Sequence, residues 1–195
     1  MKRHLFITGP SGCGKTTLLK NELGSLISYA GGFITSRMIR PDGSTSGCEL
    51  LPAAALVDRG SFEGCCFLDF SHDPPIHDNE VFRSFGAQLL RESIYYPFVL
   101  LDEIGGFELL IPQFRRELET VLNSDRPVIG VLKSKDNARQ VKESVGLGDR
   151  FTLMTENLHS VLFSDPDTAV LDMEKIRRDD TARIVRRWAE EYLLP

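Results

Sequence analysis

Two short stretches hold most of the residues whose types and spacing suit chemistry. The first is Gly9-Pro10-Ser11-Gly12-Cys13-Gly14-Lys15-Thr16, which has the pattern G-x-x-x-x-G-K-[ST]. Glycines let such a backbone curl until successive N–H groups converge on phosphate oxygens. A helix beginning at Lys15 adds the positive end of its dipole. The Lys15 ammonium is expected to reach the β- and γ-phosphates of a nucleotide, and the Thr16 hydroxyl to ligate Mg²⁺. The expected nucleotide-binding set is Gly9, Pro10, Ser11, Gly12, Cys13, Gly14, Lys15, Thr16 and Thr17. The bland alternative, a glycine-rich turn with an exposed lysine, leaves the strand-to-helix context of the pattern unexplained.

The second stretch is Phe98-Val99-Leu100-Leu101-Asp102-Glu103, an apolar run that delivers two carboxylates to its end. In open α/β sheets ligands sit beyond the carboxyl ends of the strands, and the phosphate loop follows a strand to the same edge. Asp102 is therefore expected to hold Mg²⁺ and Glu103 to orient and deprotonate an attacking water. Neighbours in a strand point to opposite faces, so both can face one site only if the backbone turns there. A strand-ending Asp beside a solvated Glu is common by itself; the phosphate loop is what gives the pair a purpose.

These residues need strands to carry them. The pattern predicts strands over 5–8, 33–39, 65–70, 98–101, 128–132 and 151–154, with 47–51 returning as a hairpin partner after the turn at 40–44. Helices are predicted over 15–27, 80–93, 112–122, 137–145 and 156–163, and a charged amphipathic one over 172–193. Gly31-Gly32 reads as a break, and 71–79 as a loop in which His72 and His77 suit a solvated lid better than a metal site. Strands alternating with helices point to a mostly parallel sheet covered on both faces. The expected organisation is one nucleotide-binding domain over 1–165 and a C-terminal helical extension over 166–195 packed on it. A protein partner is the second use open to that helix.

The net charge of −5 argues against a general nucleic-acid binder, since phosphate backbones need a basic surface. No apolar run reaches bilayer length, and the N-terminal apolar stretch breaks into Gly-Pro-Ser-Gly, so a cytoplasmic protein is expected. The four cysteines, Cys13, Cys48, Cys65 and Cys66, show no metal-ligand spacing and read as reduced thiols.

Taken together, several segments resemble the P-loop nucleoside-triphosphatase family of thermophiles and animals, called cancer-related nucleoside-triphosphatase in the latter. The family's Asp-Glu-Ile-Gly-x-x-Glu-Leu stretch is matched by Asp102-Glu103-Ile104-Gly105-Gly106-Phe107-Glu108-Leu109. Its Gly-Phe-x-Thr strand is matched by Gly32-Phe33-Ile34-Thr35, and a Thr-x-Glu-Asn-like segment by Thr155-Glu156-Asn157. The resemblance implies a three-layer α/β/α, RecA-like fold, mostly parallel, with a strand between the two nucleotide motifs. It implies slow, Mg²⁺-dependent hydrolysis of nucleoside triphosphates, ATP or GTP among them, with broad base preference, and it adds Glu108 to the site. Departures occur where the family carries arginines: Leu158 follows Glu156-Asn157, and Ser44-Thr45-Ser46 precede Gly47-Cys48. Another cation must then balance transition-state charge. Arg37, Arg40, Lys133 and Lys135 are candidates, and Lys133 is preferred because it follows the 128–132 strand to the same edge. Two other chemistries share the loop: a nucleotide or small-molecule kinase, and a nucleotide-dependent switch.

Overall fold

The computed structural model describes residues 1–194. Its strands are β1 (His4–Thr8), β2 (Ala30–Ile39), β3 (Thr45–Pro52), β4 (Cys65–Asp69), β5 (Ile76–His77), β6 (Phe98–Ile104), β7 (Val128–Leu132) and β8 (Thr168–Asp172). They form one sheet in the order β5-β4-β3-β2-β6-β7-β1-β8. The run from β2 through β8 is parallel, while β3, β4 and β5 extend it as an antiparallel meander. β7 lies between β6 and β1, as the resemblance implies.

The helices are α1 (Lys15–Leu23), α2 (Asn79–Val81), α3 (Ala87–Ser93), α4 (Pro112–Leu122), α5 (Lys135–Val145), α6 (Asp149–Ser164) and α7 (Arg178–Tyr192). Strand alternation divides the core. Leu5, Ile7, Phe98, Leu100, Ile129 and Val131 face α1 and α7. Phe6, Val99, Leu101, Val128 and Leu132 face α3, α4 and α6. Both faces of the central strands are covered, which is why their sequences read as unbroken apolar runs. The three-layer arrangement expected from sequence is present.

Several elements differ from the sequence expectation. Residues 151–154 are not a strand but part of α6, whose buried Phe151, Thr155, Leu158 and Leu162 keep helical spacing. A short apolar run does not reveal its period. The helix expected over 172–193 begins only at Arg178, and the preceding Thr168–Asp172 pairs with β1 as β8. The segment 166–195 thus adds a strand to the sheet before its helix. Between α2 and α3 the chain makes a π-turn at Phe82–Gly86, so the helix expected over 80–93 is interrupted. The loop expected over 71–79 contains the two-residue β5.

Gly31-Gly32 does not break the chain; both lie inside β2. Gly32 sits at φ +93°, and a Cβ there would lie 2.3 Å from the Leu100 carbonyl oxygen of β6. The glycine is thus what lets β2 approach the strand that carries Asp102. Gly32→Ala combines backbone strain with a backbone clash and is expected to cost more than ~3 kcal/mol of stability. Urea denaturation of the variant checks this.

Candidate functional site

The phosphate loop joins β1 to α1. Gly9, Gly12 and Gly14 have φ of 144°, 76° and 88°, so the curl uses backbone conformations that L side chains rarely adopt. No side chain caps α1, which leaves its first N–H groups directed at the loop's interior. Lys15 is buried and folds over the loop, its Nζ donating to the carbonyls of Gly9 at 3.0 Å and Pro10 at 2.7 Å. Asn137, at the start of α5, donates to the same Gly9 carbonyl at 3.4 Å.

β6 brings the carboxylates to this loop through a local irregularity. Asp102 pairs with Val131, but the next pair along is Ile104 with Leu132. The one-residue slip leaves Glu103 as an unpaired bulge residue. It also places Ile104 in the cluster that holds Val99 and Leu101, although plain alternation would assign it to the face of Leu100. Bulges re-aim side chains in this way. Asp102 is 3 % exposed on the α1 side, with Glu103 beside it at the cleft.

The two carboxylates are held differently. Burial pushes the Asp102 carboxyl up to about 6, against a hydrogen bond from the Thr16 hydroxyl that favours its charged form. Its Oδ2 is buried without a hydrogen-bond partner among the described residues. An orphaned carboxylate oxygen next to a threonine hydroxyl is a hard oxygen donor set suited to Mg²⁺. Glu103 pairs with the Lys133 ammonium, and both side chains are largely buried. Lys133 is fixed through its backbone, its N–H donating to the Ile104 carbonyl at 2.8 Å and its carbonyl lying 2.9 Å from His159 Nε2.

Loop and carboxylates open on one cleft of about 810 Å³, lined by Ser11, Gly12, Gly14, Lys15, Thr16 and Thr17 on one side and by Asp102, Glu103 and Lys133 on another. Arg37 also lines it, from β2. Arg40 does not; it is exposed in the β2–β3 turn, so among the sequence candidates it stands apart from the site. Lys135 belongs to a neighbouring hollow next to Gly9. Glu108 lies at the cleft, but its Oε1 accepts the N–H groups of Gly105 at 2.8 Å and Gly106 at 2.7 Å. That carboxylate shapes the turn after β6. Its pKa is raised by burial, against those same N–H bonds.

His72 lies 3.6 Å from Asp69, and His77 packs edge-on against Phe107. No group of three or more His, Cys, Asp or Glu side chains gathers as a metal site among the described residues. All four cysteines are free. No helix of the described residues is long and apolar enough to cross a membrane. Val185 and Trp188 of α7 are buried in the core, with Ile176 and Ile184 packed against it. Sequence reasoning missed Asn137, for which Ser134-x-x-Asn137 after a strand end was the available signal. Arg178, whose Nη1 donates to the Cys13 carbonyl at 3.3 Å, had no local signal in the sequence.

A phosphate loop on one strand and paired carboxylates on the next strand but one define a P-loop nucleotide-binding protein. The sequence profile of the NTPase_1 family, described as NTPase, matches residues 4–164, and the chain belongs to that family. Nucleoside-triphosphatase THEP1 of Thermococcus kodakarensis is 29% identical over 191 residues, covering 91% of this chain and 99% of that protein. Nucleoside-triphosphatase THEP1 of Thermotoga petrophila is 31% identical over 140 residues, covering 68% of this chain and 73% of that protein. The crystal structure of THEP1 from the hyperthermophile Aquifex aeolicus shares the fold, with a TM-score of 0.59 and 20% identity over 93% of this chain and 96% of that one.

The raised Asp102 pKa has a consequence for the metal-free protein. A carboxyl whose folded pKa lies above its ordinary 3.8 carries a cost of ionisation that is full above pH 6 and absent below pH 3.8. At about 1.4 kcal/mol per unit, this is on the order of 3 kcal/mol. Without divalent metal, Asp102→Asn should therefore be more stable than wild type at pH 8. The difference should shrink as the pH falls through 6 toward 4. Thermal denaturation in EDTA at the two pH values measures it.

Proposed function

We propose that this chain hydrolyses nucleoside 5′-triphosphates to the diphosphate and inorganic phosphate, with Mg²⁺ as cofactor. The observation that carries the reading is the placement of Thr16, Asp102 and Glu103 in one cleft, with Lys15 at its floor. The names of the curated relatives support it.

The geometry supports the following roles. Loop N–H groups and the start of α1 take the phosphates. Lys15 exchanges its two carbonyl partners for β- and γ-phosphate oxygens, which bear more negative charge. Thr16 and Asp102 would hold Mg²⁺, which when bound neutralises charge on the β- and γ-oxygens. Glu103 orients a water toward the γ-phosphorus and takes its proton as the new P–O bond forms and the bond to the β-phosphate oxygen breaks. Lys133, already on Glu103, lies where its ammonium can offset charge gathering on the transferred phosphoryl group. Arg37 is the second cation on the cleft wall.

Glu103→Gln keeps the shape of the base and removes its proton-accepting charge. It should bind triphosphate as wild type does and lose about a hundredfold or more in kcat. Lys15→Ala should lose binding itself. Phosphate release from ATP, GTP, CTP and UTP, with and without Mg²⁺, paired with equilibrium binding, tests both. Normal kcat in Glu103→Gln removes that residue from the chemistry.

A further inference from the structure

The sheet order gives the phosphate loop two unlike flanks. On one side of β1 stand β7 and β6, with Lys133 and Asp102; on the other stands β8. If the γ-end of a triphosphate meets Thr16 and Asp102 on the β6 side of the loop, the β8 flank is the side left for its nucleoside end. The segment after β8 closes on the loop there. Met173 N–H donates to the Thr8 carbonyl at 3.0 Å, and a Cβ on Gly9 would lie 3.3 Å from Met173 Cβ.

Arg178, the exposed first residue of α7, lies against the loop just outside the residues that line the cleft. Its Nη1 donates to the Cys13 carbonyl at 3.3 Å. A Cβ on Gly14 would come within 2.5 Å of the same nitrogen, so the guanidinium lies directly against the glycine before Lys15. Three other cations around the loop are engaged: Lys175 with Asp172 at 3.2 Å, Lys133 with Glu103, and Lys15 inward on the loop carbonyls. Arg178 makes no ion pair with a carboxylate among the described residues; its guanidinium donates to a neutral carbonyl. It also lies beyond residues 4–164, the span of the family match.

We propose that Arg178 binds the α-phosphate end of the nucleotide and is an affinity group shared by nucleoside diphosphates and triphosphates. This rests on the reading of the loop as a triphosphate cradle. A guanidinium offers phosphate two parallel donors, and a single carbonyl is a weak competitor for them. The α-phosphate keeps its charge while the γ-phosphoryl group leaves, so this contact is equally strong in the ground and transition states. Uniform binding of that kind lowers KM and leaves kcat alone.

The test is Arg178→Gln, which removes the charge at similar size. Its affinity for ADP and GDP by calorimetry should fall about tenfold or more. KM for ATP should rise by a similar factor, with kcat within about twofold of wild type. Its melting temperature without nucleotide reports whether the fold is intact. Unchanged ADP affinity overturns the proposal. So does a fall in kcat as large as that in kcat/KM, because Arg178 would then brace the loop or serve the transition state. A wild type that binds ADP but releases no phosphate from any triphosphate ends the hydrolysis reading and leaves this one standing. A wild type that hydrolyses ATP while the variant binds ADP unchanged ends this one alone.

Discussion

The parallel ladder β6–β7–β1 is the constraint on which the rest of the site depends. Parallel pairing sends the ends of these strands to one edge, so the phosphate loop after β1, Lys133 after β7 and the carboxylates of β6 arrive together. The ladder is rigid because Leu100, Leu101, Ile129, Phe6 and Ile7 are fully buried between helical layers. The single break in it, the slip at Glu103, is where the site needs freedom. Asp102 stays in register and faces Thr16, and the extra residue turns outward with its carboxylate on Lys133.

Electrostatics divide the two carboxylates between two tasks. Asp102 is buried, short of partners and costly to ionise, a cost that the proposed cation would offset. Glu103 is already satisfied by an ammonium and sits at the cleft wall. The same low-dielectric wall that raises the Asp102 pKa would strengthen its attraction to a divalent ion beside the loop. Glu108 belongs to neither task. By accepting two N–H groups it holds the backbone turn that carries the chain from β6 toward α4.

What could be read in the sequence was whatever is local. The phosphate loop is a contiguous pattern with its own strand and helix, and the apolar run ending in Asp102-Glu103 announces a buried strand. β7 appeared with its bounds intact because five buried residues stand between polar flanks. Pairing was hidden. The slip at Glu103 exists only in the register between β6 and β7, and no composition marks it. β8 is a half-buried edge strand whose short run fell within the segment expected as a helical extension over 166–195. Arg178 reaches Cys13 across 165 positions of chain, so only the packing of α7 against α1 brings them together. Gly32 misled for the opposite reason: a glycine that permits close strand contact looks locally like a break.

The central claim is that a water placed by Glu103 attacks the γ-phosphorus of a triphosphate held on the loop. Isotope transfer examines it most directly. With Mg²⁺ and ATP in ¹⁸O-labelled water and no added acceptor, the released phosphate should carry a single solvent oxygen per turnover and the ADP none. Label appearing in ADP, or no phosphate release until an acceptor is supplied, would contradict the account.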